Sequence, residues 1–330
     1  MIIKSQFKPA WWLTTAHAQT LFSTITRHNP APVDKVERIE LPDGDFIDTA
    51  WAINGASEKA PLVILLHGLG GSVSSSYVSS FMRACNHQGW RVVLMHFRGA
   101  SHEPNRLARA YHSGDTADFN FFLKILAARE PDTKKASIGV SLGGTVLLKW
   151  LGEQGSQSLL DAAVAVSVPF ELRLVADKMG RGFSRVYQRY LLQRLRKVFI
   201  LKTSGWQDEL PKALQDFEKW DCFWTFDDKV TAPLHGFDSV HDYYRQSSSR
   251  SYLKTIATPT LIIHSKDDPF MTPEALPRND ELSDFVTLEL SAKGGHVGFI
   301  SGHFPGKPVY WLEQRIPEYL KTIFCPKDNV

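Results

Sequence analysis

Ser141 stands between two glycines in Gly139-Val140-Ser141-Leu142-Gly143, after the apolar run Ala136-Ser137-Ile138 and before Thr145-Val146-Leu147-Leu148. This order predicts a strand, a sharp turn and a helix, with Ser141 at the apex of the turn. Side chains at 139 and 143 would collide with neighbouring backbone there, which is the physical use of the two glycines. A serine lifted above a sheet edge becomes a nucleophile once a base removes its proton. An imidazole does this best when a carboxylate fixes its tautomer. Five residues alone recur in ordinary turns, so the meaning of the pattern depends on partners elsewhere in the chain.

Two later loops supply such partners. The apolar run Thr260-Leu261-Ile262-Ile263 leads to Ser265-Lys266-Asp267-Asp268-Pro269-Phe270, and Phe285-Val286-Thr287-Leu288-Glu289-Leu290 leads to Lys293-Gly294-Gly295-His296-Val297-Gly298-Phe299. Taken singly, Asp-Asp-Pro is a common turn and a histidine among glycines is commonly structural. Jointly they put an acid and then a base directly after strands, in the order such a serine requires. The catalytic expectation is therefore Ser141, Asp268 and His296. Asp268, next to Pro269 and shortly before Pro273, is the preferred acid, and Asp267 stays open as the alternative.

Acyl transfer also needs backbone N–H groups for the developing oxyanion, each worth about 3 kcal/mol. Leu66-His67-Gly68-Leu69-Gly70-Gly71 follows another apolar run, and the N–H groups of Leu69 and Leu142 are the expected donors. His67 is expected to support this loop by hydrogen bonding. No Gly-Lys-Ser/Thr follows the glycines and no G-x-G-x-x-G is present, which argues against a nucleotide site. His96, His102 and His112 show no i, i+4 pairing and no acidic partner pattern, so neither a metal site nor a cofactor is expected.

The elements that must position these residues follow from the apolar patterning. Val36 to Leu41 and Phe46 to Trp51 flank the turn Pro42-Asp43-Gly44-Asp45 and predict an antiparallel hairpin at a sheet edge. From Pro61 onward, continuous apolar runs at 62–66, 92–95, 136–140, 162–166 and 260–263 alternate with segments long enough for helices, near 75–88, 114–129 and 144–153. That is a doubly wound, mostly parallel sheet covered by helices. Asp115 or Ser113 is expected to cap the second of these helices, and Arg98 to tie its loop to the sheet edge. A final helix is expected over Val309 to Phe324.

Between Pro169 and Thr258 the alternation stops. Phe183, Val186, Tyr187, Tyr190, Leu191, Leu195 and Val198 recur at helical spacing, with Arg185, Arg189, Arg196 and Lys197 on other faces. The expected organisation is an arm at 1–30, a core at 31–169 and 258–330, and a helical cap insertion at 170–257.

Composition bounds the partners. Lys+Arg 38 against Asp+Glu 35 leaves a formal net charge of +3, which lacks the basic field of a nucleic-acid binder. Cys85, Cys222 and Cys325 are an odd, widely spaced set, which disfavours a disulfide framework and suits a reducing cytoplasm. The first residues lack the apolar centre of a signal peptide. Trp11 and Trp12 in the arm, with the basic insertion, leave a membrane-surface role open. Oligomeric state is not legible.

His67-Gly68-Leu69-Gly70-Gly71, His96-Phe97-Arg98-Gly99, Tyr111-His112-Ser113-Gly114-Asp115, Gly139-Val140-Ser141-Leu142-Gly143-Gly144, Gly294-Gly295-His296-Val297-Gly298-Phe299 and the early His17-Ala18-Gln19-Thr20 together resemble the α/β-hydrolase superfamily. More narrowly they resemble its AB hydrolase-4 family of YheT-type proteins and ABHD relatives. The resemblance implies carboxylic-ester hydrolysis, with some members linked to lipid acyl chains. The expected activity is ester cleavage through an acyl-enzyme on Ser141, on small-molecule or lipid-like esters. The alternatives are a non-catalytic binding protein of the same fold, or a thioesterase or lipase acting at a membrane surface.

Overall fold

The computed structural model describes residues 1–27, 29–203 and 220–325. Residue 28 of the expected arm, 204–219 of the expected insertion and 326–330 thus lie outside the described residues. A nine-stranded sheet runs through the centre in the order β1-β9-β8-β7-β6-β4-β5-β3-β2. Its strands are β1 (Ile2–Lys4), β2 (Lys35–Glu40), β3 (Phe46–Ala52), β4 (Leu62–Leu66), β5 (Arg91–Met95), β6 (Lys135–Val140), β7 (Ala162–Val166), β8 (Thr260–Ser265) and β9 (Val286–Ser291). From β1 to β5 every pairing is parallel. The hairpin β2–β3 joins antiparallel at the far edge.

Because the parallel strands are buried on both sides, alternate residues feed two separate cores. Leu62, Ile64 and Leu66 pack with Phe119 and Phe122 of α3 (Ala117–Arg129) and with Val146, Leu147 and Trp150 of α4 (Leu142–Gln154). Val63 and Leu65 point the other way, toward Val78, Phe81 and Met82 of α2 (Ser76–Asn86) and Leu312, Ile316 and Leu320 of the C-terminal helix Leu312–Phe324. Each such fully buried side chain contributes on the order of 2 kcal/mol, which makes the sheet a stiff platform.

Several local expectations need correction. Val309–Tyr310 does not begin the last helix; it pairs antiparallel with Ile300–Ser301. Neither Ser113 nor Asp115 caps α3, which starts after Thr116. Asp115 instead accepts two hydrogen bonds from Arg109 Nη2, at 2.8 and 3.0 Å. Arg98 does tie its loop down: its guanidinium meets Asp118 at 2.6 Å, Asp43 at 2.8 Å and Asp45 at 3.1 Å. Residues 2–4, read as part of an arm, form the edge strand β1 against β9. The arm continues as α1 (Ala16–Thr26), begun by Thr15, whose hydroxyl accepts the Ala18 N–H.

Between β7 and β8 lie α5 (Leu172–Met179), α6 (Ser184–Thr203) and α7 (Val240–Ser247), with a helical stretch at 223–234 that contains a π-type turn, Asp227–Thr231. Leu192 and Leu195 pack on Trp220, Phe226 and Val230. The periodic apolar stripe that runs from Phe183, just before α6, into that helix divides: Tyr187 and Leu195 are buried, whereas Phe183, Val186 and Tyr190 are exposed. Among the described residues no helix is long and apolar enough to cross a membrane.

Candidate active site

The loops leaving β4, β6, β7, β8 and β9, strands that are contiguous in the sheet, converge on Ser141. Ser141 occupies the turn between β6 and α4 with φ 52° and ψ −119°. That conformation costs a non-glycine residue about 1–3 kcal/mol. Packing holds it there: the Ser141 N–H donates to Val166 O at 2.9 Å, and its carbonyl accepts the N–H groups of Gly144 and Thr145. A Cβ on Gly139 would lie 2.5 Å from Gly143 O, and one on Gly143 would lie 2.5 Å from Leu66 O. The two glycines therefore allow β4, β6 and α4 to approach closely.

His296 Nε2 lies 3.1 Å from Ser141 Oγ, and His296 Nδ1 lies 2.8 Å from Asp268 Oδ2. An ionised carboxylate only accepts, so Nδ1 carries the proton and Nε2 is left as the acceptor facing the serine hydroxyl. Burial pushes the Asp268 carboxyl up, but its contacts with His296, the nearby His264 and the Phe270 N–H more than offset this and leave it below the usual range. Asp267 is turned elsewhere, accepting the Gly295 N–H at 3.0 Å. Of the two adjacent aspartates, the geometry pairs Asp268 with His296.

The histidine loop is fixed by residues that sequence reasoning gave no role. The His296 N–H donates to Thr20 Oγ1 at 2.9 Å, the Val297 N–H to Ser167 Oγ at 3.0 Å, and Ser265 Oγ donates to Gly295 O at 2.7 Å. The Gln19 amide closes the far side, accepting from Ile300 N–H and donating to Ile300 O and Leu13 O. Gly295 has φ 62°, and a Cβ there would stand 2.5 Å from Ala16 O. Phe270 stacks on the His296 ring, with centroids 3.9 Å apart and planes at 10°. His17 Nδ1 meets the Tyr187 hydroxyl at 3.0 Å, linking α1 to α6. The only signal for this group was the His17-Ala18-Gln19-Thr20 resemblance, which names the residues without giving their contacts.

The loop after β4 is equally constrained. Gly68 N–H donates to Tyr77 OH and Gly70 N–H to Tyr111 OH, each at 2.8 Å. His67 Nε2 accepts the Phe97 N–H at 3.2 Å, so Nδ1 carries the proton toward Gly68 O at 2.8 Å. Burial holds His67 neutral by lowering it to about 3. The N–H groups of Leu69 and Leu142 have no acceptor among the described residues. A Cβ on Gly68 would come within 3.3 Å of Ser141 Cβ, so this loop borders the serine directly.

Ser141 and His296 line a cavity of about 1060 Å³. Its wall is mostly apolar, including Val175, Met179, Leu191, Phe223 and Met271. One polar group in that wall is Asp227, which accepts from Thr231 Oγ1 at 2.7 Å and Tyr244 OH at 2.8 Å. Burial pushes its carboxyl up to about 7. Among the described residues no three His, Cys, Asp or Glu side chains gather as they would around a metal ion.

A mostly parallel sheet with a strained serine after one central strand, and acid and histidine after later ones, defines an α/β hydrolase. The sequence profile of the alpha/beta hydrolase fold matches residues 61–303, and the chain belongs to that family. It is 42% identical over 319 residues to "Putative esterase YheT" of Escherichia coli (strain K12), covering 96% of this chain and 94% of that protein. It is 26% identical over 324 residues to Phospholipase ABHD3 of Mus musculus, covering 94% of this chain and 77% of that one. Among solved structures, the Pyrococcus furiosus esterase Pf2001 superposes with a TM-score of 0.57 at 18% identity, covering 98% of each chain.

Proposed function

We propose that the protein hydrolyses carboxylic esters through an acyl-enzyme on Ser141. The observation that carries this reading is the continuous hydrogen-bonded line from Ser141 Oγ through His296 to Asp268, at 3.1 and 2.8 Å, beside an apolar cavity. His296 Nε2 takes the hydroxyl proton as Ser141 Oγ attacks the acyl carbonyl. Asp268 stabilises the imidazolium that forms, and the unoccupied N–H groups of Leu69 and Leu142 receive the oxyanion. The imidazolium then protonates the leaving alcohol. Water, deprotonated by the same nitrogen, releases the acid and restores the serine. No cofactor enters this scheme.

The apolar wall favours acyl chains over polar acids. The esterase and phospholipase names of the two relatives agree with lipid-like or simple acyl esters. Ser141→Ala is expected to lower kcat for p-nitrophenyl ester hydrolysis by at least about a thousandfold with an unchanged circular dichroism spectrum. A fluorophosphonate probe should label the native protein and spare the variant. Unlabelled native protein, or a fully active variant, would sink the proposal and favour a binding protein of the same fold.

A further inference from the structure

The cavity mouth carries an apolar rim facing solvent. On and just before α6, Phe183, Val186 and Tyr190 are 51%, 53% and 49% exposed; on α1, Leu21 and Ile25 are 38% and 63% exposed. Phe183, Val186, Tyr190 and Leu21 also line the cavity, so the rim is continuous with the interior that reaches Ser141. One exposed leucine needs no explanation, but five large apolar side chains on the two elements around one opening call for something that covers them.

The charges on the flanking faces of α6 and just before it decide what. Arg181, Arg185 and Arg189 are exposed, and none of them has an ion-pair partner among the described residues. Residues 180–198 contain no Asp or Glu. A protein partner's apolar patch could cover Phe183 and Val186, but it would also close the only purpose such a rim serves for a hydrolase, which is to admit substrate. A lipid surface covers the rim and delivers acyl chains through it. Guanidinium groups alternating with aromatic and aliphatic residues suit the boundary between headgroups and chains.

We propose that α1 and α6 dock the cavity mouth onto a lipid surface bearing anionic headgroups. Leu21, Ile25, Phe183, Val186 and Tyr190 enter the edge of the acyl region, and Arg181, Arg185 and Arg189 meet the headgroups. The choice of a lipid surface over other partners rests on the ester-hydrolase reading, but the docking itself is measurable without turnover.

The test is flotation of full-length protein with phosphatidylcholine vesicles, with and without phosphatidylglycerol, run on the native chain and on Ser141→Ala. Both should float with the anionic vesicles and far less with the neutral ones. The double variant Arg185→Glu/Arg189→Glu should lose association by at least about twenty-five-fold, given roughly fivefold per basic residue near an anionic leaflet. Ile25→Glu should lose several-fold. Both variants should keep native circular dichroism and native hydrolysis of monomeric p-nitrophenyl butyrate. Failure of the native chain to float with anionic vesicles would overturn the proposal, as would equal flotation with neutral vesicles or flotation unaffected by both variants. Flotation by a chain that cleaves no ester would leave the docking surface standing and remove the enzymatic reading instead.

Discussion

Thr20 is a small residue with a large positional burden. Its hydroxyl accepts the His296 N–H at 2.9 Å and donates to Ala16 O at 2.8 Å. Thr20→Val keeps the shape and removes the acceptor, so the histidine loop loses one anchor without losing its packing. The expected result is about a tenfold fall in kcat for ester hydrolysis, because imidazole placement matters more to the transition state than to substrate binding, with KM little changed. Equal losses in kcat and stability would make Thr20 merely structural. Asp227 offers a test of different sign. Its folded value of about 7 lies above that of an unfolded carboxylate, so the folded chain holds the proton more tightly and stability declines as pH rises through that window. Asp227→Asn should therefore exceed the native protein in urea denaturation by on the order of 2 kcal/mol at about pH 8, and by little at about pH 4. Neither role could be read in advance. Each is a polar side chain with one partner on a distant element, Thr20 joined to a loop 276 residues away and Asp227 to Tyr244, and periodicity reports only which face of its own helix a residue occupies.

The element that most resists change is the turn from β6 to α4. A Cβ on Gly143 would stand 2.5 Å from Leu66 O and 2.6 Å from His67 O, both backbone atoms. Gly143→Ala must therefore displace either the helix start or the end of β4, at a cost of about 3 kcal/mol in denaturation midpoint terms. A loss below about 1 kcal/mol would show that the turn has slack. This element was legible because its constraint is local: strand, glycine, serine, glycine and helix are consecutive. The same holds for the strands at 62–66 and 162–166, where a run of β-branched and aliphatic residues between turn signals leaves little choice. β1 was illegible because three residues have no pattern, and their partner strand lies at the opposite end of the sequence. The stripe on α6 marked the helix without saying what its apolar face meets. Helical spacing marks an apolar face, but Phe183, Val186 and Tyr190 turn that face to the cavity mouth instead of a core.

At the scale of the whole molecule, acid should unfold this protein readily. Burial lowers His67 and His112 to about 3 and His264 to about 4, all below the ordinary value of an unfolded histidine. The unfolded chain therefore takes up these protons first, and stability falls as pH drops below about 6.5, by at most about 1.4 kcal/mol per pH unit for each histidine. Asp227 works in the opposite sense over part of the same range, offsetting one of the three. Urea denaturation at about pH 7, 6 and 5 should show a steepening loss, and a flat profile would contradict the buried neutral state of these rings. The sheet order also has a temporal consequence. β1 pairs with β9, and the grip of Thr20 on the His296 loop joins the same two ends of the chain. A ribosome making this protein emits Ser141 and its turn long before the histidine exists, while α1 waits with its partner unmade. On the proposed reading, the serine is thus synthesised well before the histidine that faces it. Until that long-range contact forms, a nascent or partly folded chain carries the serine without the histidine that faces it in the folded protein.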